Sequence, residues 1–128
     1  MDNISYYSMD EDLNTVENGI VTKQQAMDII DKYILAQDIP TETGEQAVAN
    51  SMFGFSINSD TFIELALDTR DEFRIKFETP ETKKLAFIKI PGLFQKEKFT
   101  QDKEELKRIA AEFFDLSHDE FKDYFKSL

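Results

Sequence analysis

At 128 residues the chain has the length of one domain, and 41% hydrophobic residues, among them 12 Phe and 4 Tyr, supply a core for it. With 26 Asp and Glu against 15 Lys and Arg, the net charge of −11 disfavours nucleic acid and anionic lipid as partners. The absence of Cys excludes disulfides, thiolate catalysis, Cys-ligated zinc and iron–sulfur clusters.

Residues 1–20 carry Asp2, Asp10, Glu11, Asp12 and Glu17 and no basic residue, and their apolar side chains follow neither helical nor strand spacing. The expectation is an acidic N-terminal arm, either mobile or docked through Tyr6, Tyr7 and Met9 on the domain or on a partner, followed by a single domain over 21–128. The start of the chain has no basic segment and no apolar run of secretory or membrane-spanning length, which predicts a soluble, cytoplasmic protein.

Thr22 and Gln25 form a Ser/Thr-x-x-Glu/Gln capping box, and Ala26, Ile30, Tyr33 and Ile34 then recur on one helical face. A helix from Thr22 to about Gln37 is predicted, ended by Asp38-Ile39-Pro40. A short second helix over residues 44–51 is a weaker expectation.

Four strand-like runs follow. Phe53, Phe55 and Ile57, then Ile63, Leu65 and Leu67, then Phe73, Ile75 and Phe77 alternate with other residues at period two. The fourth run, Leu85 to Ile90, is apolar on both faces, so either a helix covers its second face or Ile88 and Ile90 belong to an interface. Asn58-Ser59-Asp60, Asp68-Thr69-Arg70-Asp71 and Thr79 to Lys84 with Pro80 read as turns too short for a parallel crossover, which predicts an antiparallel meander.

Leu106, Ile109, Ala110, Phe113 and Phe114 then mark a helix beginning near Thr100 with Asp102 in its first turn. Ser117 and Glu120 form a second capping box, with Leu116 as staple to Phe121, opening a helix whose apolar face is Phe121, Tyr124, Phe125 and Leu128. The predicted fold is α+β: an N-terminal helix, a four-stranded antiparallel meander and two C-terminal helices packed on one sheet face.

The charge is lopsided. Residues 1–68 hold 13 acids and 2 bases, a net −11, whereas residues 69–128 hold 13 of each and sum to zero. Clustered carboxylates raise the encounter rate with a basic protein, and Asp28, Asp31, Asp38, Glu42, Glu45, Asp60, Glu64 and Asp68 are the candidate partner-binding residues. Solubility is the competing explanation of the same charge.

Catalytic motifs are sparse. The one histidine, His118, follows an N-cap serine where a helix N-terminus disfavours its charged form, so no Ser-His-Asp chemistry is assigned to it. Asp10-Glu11-Asp12 and Asn58-Ser59-Asp60 lack the spacing of a calcium loop, and the 4 isolated glycines build no phosphate cradle. The basic stretch from Lys83 to Arg108 is interrupted by acids and reads as a solvated mixed-charge surface. No cofactor and no metal are expected, and the residues carry no family signature.

The leading expectation is therefore a non-enzymatic acidic protein, monomer or homodimer, that neutralises or escorts a basic protein partner as immunity proteins do for toxins or nucleases. Three alternatives remain at this level. They are a nucleic-acid mimic that inhibits a DNA- or RNA-binding enzyme, an escort chaperone for a secreted effector, and a small-ligand carrier with a cavity lined by Phe53, Phe55, Phe73, Phe77 and Phe87.

Overall fold

The computed structural model describes residues 3–10, 12, 14–37, 51–58, 60–67 and 72–128, the side chains of 37 and 83–85 excepted. Strands β1 (Ser5–Met9) and β2 (Thr15–Ile20) precede helix α1 (Lys23–Gln37), and β3 (Met52–Asn58), β4 (Thr61–Ala66), β5 (Phe73–Leu85) and β6 (Ile88–Thr100) follow it. Helices α2 (Lys103–Asp115) and α3 (His118–Lys126) close the chain. The strands form one antiparallel sheet in the order β2-β1-β3-β4-β5-β6.

The α+β class and the antiparallel arrangement match expectation. The count of four strands and the placement of a helix first do not: the sheet has six strands, because residues 5–9 and 15–20 form a hairpin on its β3 edge ahead of α1. The fourth expected strand is also redrawn. Leu85 ends β5 and Ile88 begins β6, so the apolar run straddles the two-residue loop Ala86-Phe87 instead of forming one strand. The expected turn at Pro80 lies within β5, beyond the Phe62–Glu78 pair where β4 stops pairing, and there a proline removes no ladder bond that β4 needs. The expected helix over residues 44–51 falls outside the described residues, its last residue excepted.

Register decides the two faces. Tyr6, Phe55, Ile63, Phe77 and Lys96 are successive cross-strand partners, and Tyr7, Gly54, Glu64, Lys76 and Glu97 form the neighbouring row with side chains on the opposite face. All three described helices pack on the first face. Tyr33 of α1 stacks on Phe53 with ring centroids 4.0 Å apart, Phe114 of α2 meets Phe55 edge-on at 5.5 Å, and Phe121 of α3 meets Phe77 at 4.9 Å. Ala26 and Ile30 of α1 and Leu106, Ile109 and Ala110 of α2 are wholly buried beneath them.

The helix ends are fixed locally. Thr22 accepts from the Gln25 amide at 3.1 Å while the Gln25 side chain takes the Thr22 amide at 2.8 Å, as the capping box predicts. Ser117 and Glu120 repeat this at α3. Asp102 is the N-cap of α2, accepting from the Glu104 amide at 2.9 Å, and Thr100 belongs to β6, so α2 starts three residues later than the apolar pattern implied. The far end of α3 is capped across the chain: Lys96 donates to the carbonyls of Lys126 and Leu128 at 2.7 and 3.0 Å, where a cation also meets the negative end of the helix dipole. No described helix is long and apolar enough to cross a membrane.

Candidate functional site

No described helix lies on the second sheet face, and its centre is shaped by a missing side chain. Gly54 sits between Tyr7 and Glu64 in the cross-strand row, and the Tyr7 ring lies across it, in the space a Cβ would fill. The slot carries the phenol over β3 toward Glu64 on β4, near enough for that carboxylate to raise its pKa. Tyr7 is thereby 7% exposed although it stands on the uncovered face, and Phe62 meets its ring edge-on at 6.3 Å.

Around this ring lies an open cleft of about 290 Å³ lined by Tyr7, Thr15, Glu17, Ser56, Asn58, Phe62 and Glu64. Three carboxylates, Glu64, Glu78 and Glu17, bear on the phenol. Burial first, then the negative charge of Glu64, holds Tyr7 far above its ordinary pKa of 10.0. Glu78 has Lys76 at 3.9 Å, whereas Glu17 and Glu64 form no ion pair among the described residues. The cleft therefore presents two carboxylates outside any ion pair among the described residues, beside two aromatic rings, a setting suited to a Lys or Arg side chain through charge-assisted hydrogen bonds and cation–π contact.

The neutral phenol has a consequence for stability. A folded-state pKa raised above the unfolded value contributes stability that is complete below pH 10 and is lost as pH rises beyond it, with a slope approaching about 1.4 kcal/mol per pH unit for one such group. Urea midpoints taken from pH 8 to 11 should fall more steeply for the native chain than for Tyr7→Phe. Parallel curves would remove the phenol from the account.

Of the eight acidic residues read as partner-binding, the described four are not in one place. Asp28 and Asp31 are exposed on α1, in the helical layer, where Asp28 accepts from Gln24 at 3.1 Å and Asp31 pairs with Lys107 at 3.0 Å. Asp60 is exposed at the β3–β4 turn, its amide held by the Asn58 side chain at 2.9 Å. Glu64 alone reaches the cleft. Asp38, Glu42, Glu45 and Asp68 lie outside the described residues. Glu17 and Phe62 were not singled out for binding and Tyr7 only as an anchor of the N-terminal arm, and the other trace of the cleft in the sequence is a glycine inside a strand-like run.

His118 occupies a second cleft, of about 340 Å³, with Ile57, Asn58, Thr61, Thr79 and Pro80. Its Nε2 is 2.6 Å from the Thr79 hydroxyl, which is 2.9 Å from the Thr61 hydroxyl, and its Nδ1 is 3.4 Å from Asp119. A chain of donors closes in one tautomer: Thr61 donates to Thr79, Thr79 to Nε2, and Nδ1–H points toward Asp119. The arrangement has the outline of a triad, but Thr79 is wholly buried and both its contacts are internal, so its hydroxyl has no path to a substrate. Its role is to tie the start of α3 to β4 and β5.

Among the described residues no group of three or more His, Asp and Glu side chains is placed to hold a metal. Of the phenylalanines considered as cavity lining, Phe53, Phe55, Phe73 and Phe77 are buried, and the crevice beside Phe77, Phe113 and Phe121 is too tight to admit water. Phe87 is on the surface, fully exposed. Compared with protein-family models, curated proteins and solved structures, the chain matches none.

Proposed function

We propose that this chain is a non-enzymatic acidic binding protein that receives a basic protein partner and neutralises or escorts it, in the manner of an immunity protein. The observation that carries the reading is Glu64: a half-buried carboxylate beside the Tyr7 and Phe62 rings, which makes no ion pair among the described residues although Lys76 stands opposite it on β5. A carboxylate placed this way is poised for a positive group from elsewhere, because part of the cost of orienting it is already met in the free protein. The lopsided charge supports the same reading by steering a cationic surface toward the acidic part of the chain.

The test is capture from lysate at low salt on the immobilised full chain, with elution by a salt gradient. A single cationic protein near 1:1 is the expected result. Glu17→Lys, on the exposed edge strand, should weaken its binding about tenfold or more and flatten the salt dependence, while Glu105→Lys on α2 should not. An eluate with no salt-sensitive protein, or one indifferent to Glu17→Lys, would return the negative charge to solubility alone.

A further inference from the structure

Strands β5 and β6 pair over 13 positions, far past the sheet that supports them. Pairing with β4 stops at Glu78. The inner face of the ribbon stays covered a little further, where Lys122 pairs with Glu81 at 3.1 Å and the ammonium groups of Lys122 and Lys126 lie 5.3 and 5.2 Å from the Phe94 ring. From the Thr82–Pro91 pair outward the two strands pair only with each other among the described residues, a ribbon about 15 Å long at ordinary strand rise.

Its composition is unlike the rest of the molecule. Residues 83–90 hold Lys83, Lys84 and Lys89 and no acid, which leaves −14 on the other residues of a chain at −11. Lys84 and Lys89 are directly paired positions in the register. At the tip Phe87 is fully exposed, Ile88 is 65% exposed and Ile90 40%, and Ala86 turns the chain with φ 57°, a conformation ordinarily left to glycine. A basic, apolar finger held clear of an acidic body by more than a Debye length of about 8 Å is built to meet an anionic surface bearing apolar groups.

The cleft on the β2-β1-β3-β4 part of the outer sheet face is such a surface, with Glu17 and Glu64 beside Tyr7 and Phe62, while Arg74 and Lys76 stand on β5 at its border. We infer that two copies of this chain associate through the ribbon, the tip of each seated on the acidic outer sheet face of the other. A ribbon of this size buries roughly 700 Å² counting both sides, which alone falls short of the ~1,200 Å² where specific interfaces begin, while a two-fold exchange of ribbons reaches it. The receiving face is the one assigned above to a basic partner, so the inference rests on that reading for its receptor, and self-association then guards the cleft until the partner displaces it.

Sedimentation equilibrium of the full chain, without partner, tests it. A dimer is expected at low salt and a monomer at about 0.5 M salt. Phe87→Asp and Lys89→Glu should each raise the dimer dissociation constant about tenfold or more, with a melting temperature unchanged at about 0.5 M salt, where the native chain is also monomeric and both positions are exposed, and both should leave capture of the basic partner intact. Combining Lys89→Glu with Glu17→Lys should recover the dimer. A native chain that is monomeric at low salt, a dimer untouched by both ribbon variants, or a charge swap that fails to recover it would each overturn the inference without touching the partner reading. Phe87-dependent binding to phosphatidylserine vesicles by a monomeric chain would overturn it by assigning the finger to lipid.

Discussion

Replacing Gly54 with Ala should destabilise the protein by about 3 kcal/mol or more, and Gly54→Val should not yield a folded chain. Strand propensity argues the reverse sign, since Ala in a strand interior is ordinarily favoured over Gly by about 0.5–1 kcal/mol. The geometry decides. A Cβ at this position collides with the Oη and Cζ of Tyr7 and with the backbone carbonyl oxygen of Ile63. The ring can move only by leaving its buried slot and its contact with Phe62, and the carbonyl belongs to the β3–β4 ladder, so neither neighbour yields cheaply. Urea denaturation of Gly54→Ala, Tyr7→Ala and the double variant separates the two collisions. The pair should cost less than the sum, because removing the ring relieves one clash and leaves the other. A near-neutral Gly54→Ala would mean that the ring does not occupy the slot, and with it the placing of the phenol beside Glu64 would fail.

What was legible in the sequence follows from burial. Phe53, Phe55, Ile63, Leu65, Phe73, Ile75 and Phe77 alternate because one face of β3, β4 and β5 meets the helices, and the capping residues mark the starts of α1 and α3 directly. Strand β2 is exposed along its whole length, so nothing selects apolar residues at period two there. In β1 the inward row is Tyr6 and Ser8, too polar to stand out beside an acidic segment. In β6 the inward positions include Lys96 and Lys98, which lie along the face by their alkyl stems and read as a charged stretch. The Ala86-Phe87 loop lacks the Asn-Gly or Asp-Gly signature of a two-residue hairpin, and the apolar run passed through it unmarked.

The cleft was hidden for a different reason. Tyr7, Gly54 and Glu64 are far apart in the chain and become neighbours through the register of three strands, one of them on a segment whose composition gave no strand at all. Charge alone pointed to 1–68 as a block, yet the sheet sends Asp28 and Asp31 to one side of the molecule and Glu64 to the other. Linear clustering reports a field, and the fold decides which carboxylates share a surface.

Phe77→Ala should cost about 3–5 kcal/mol, a large part of the 5–15 kcal/mol that holds a domain of this size together. Its ring is the hub of the core, with centroids of Phe94, Phe113, Phe121 and Phe125 at 5.8, 6.5, 4.9 and 5.6 Å, so truncation opens a cavity bounded by four rings from β6, α2 and α3. These rings are anchored on separate elements and cannot all close on the void, which places the cost at the upper end for a large-to-small change. Phe87→Ala, the same substitution ten residues on, should change the stability of the monomer, measured at low protein concentration and about 0.5 M salt, by less than about 0.5 kcal/mol, since that ring contacts solvent on every side of a single chain. Urea midpoints of the two variants give the comparison. Equal losses would mean that Phe87 is buried in the protein as it exists in solution, and a loss at Phe87 that appears only at high protein concentration would trace that burial to a second copy.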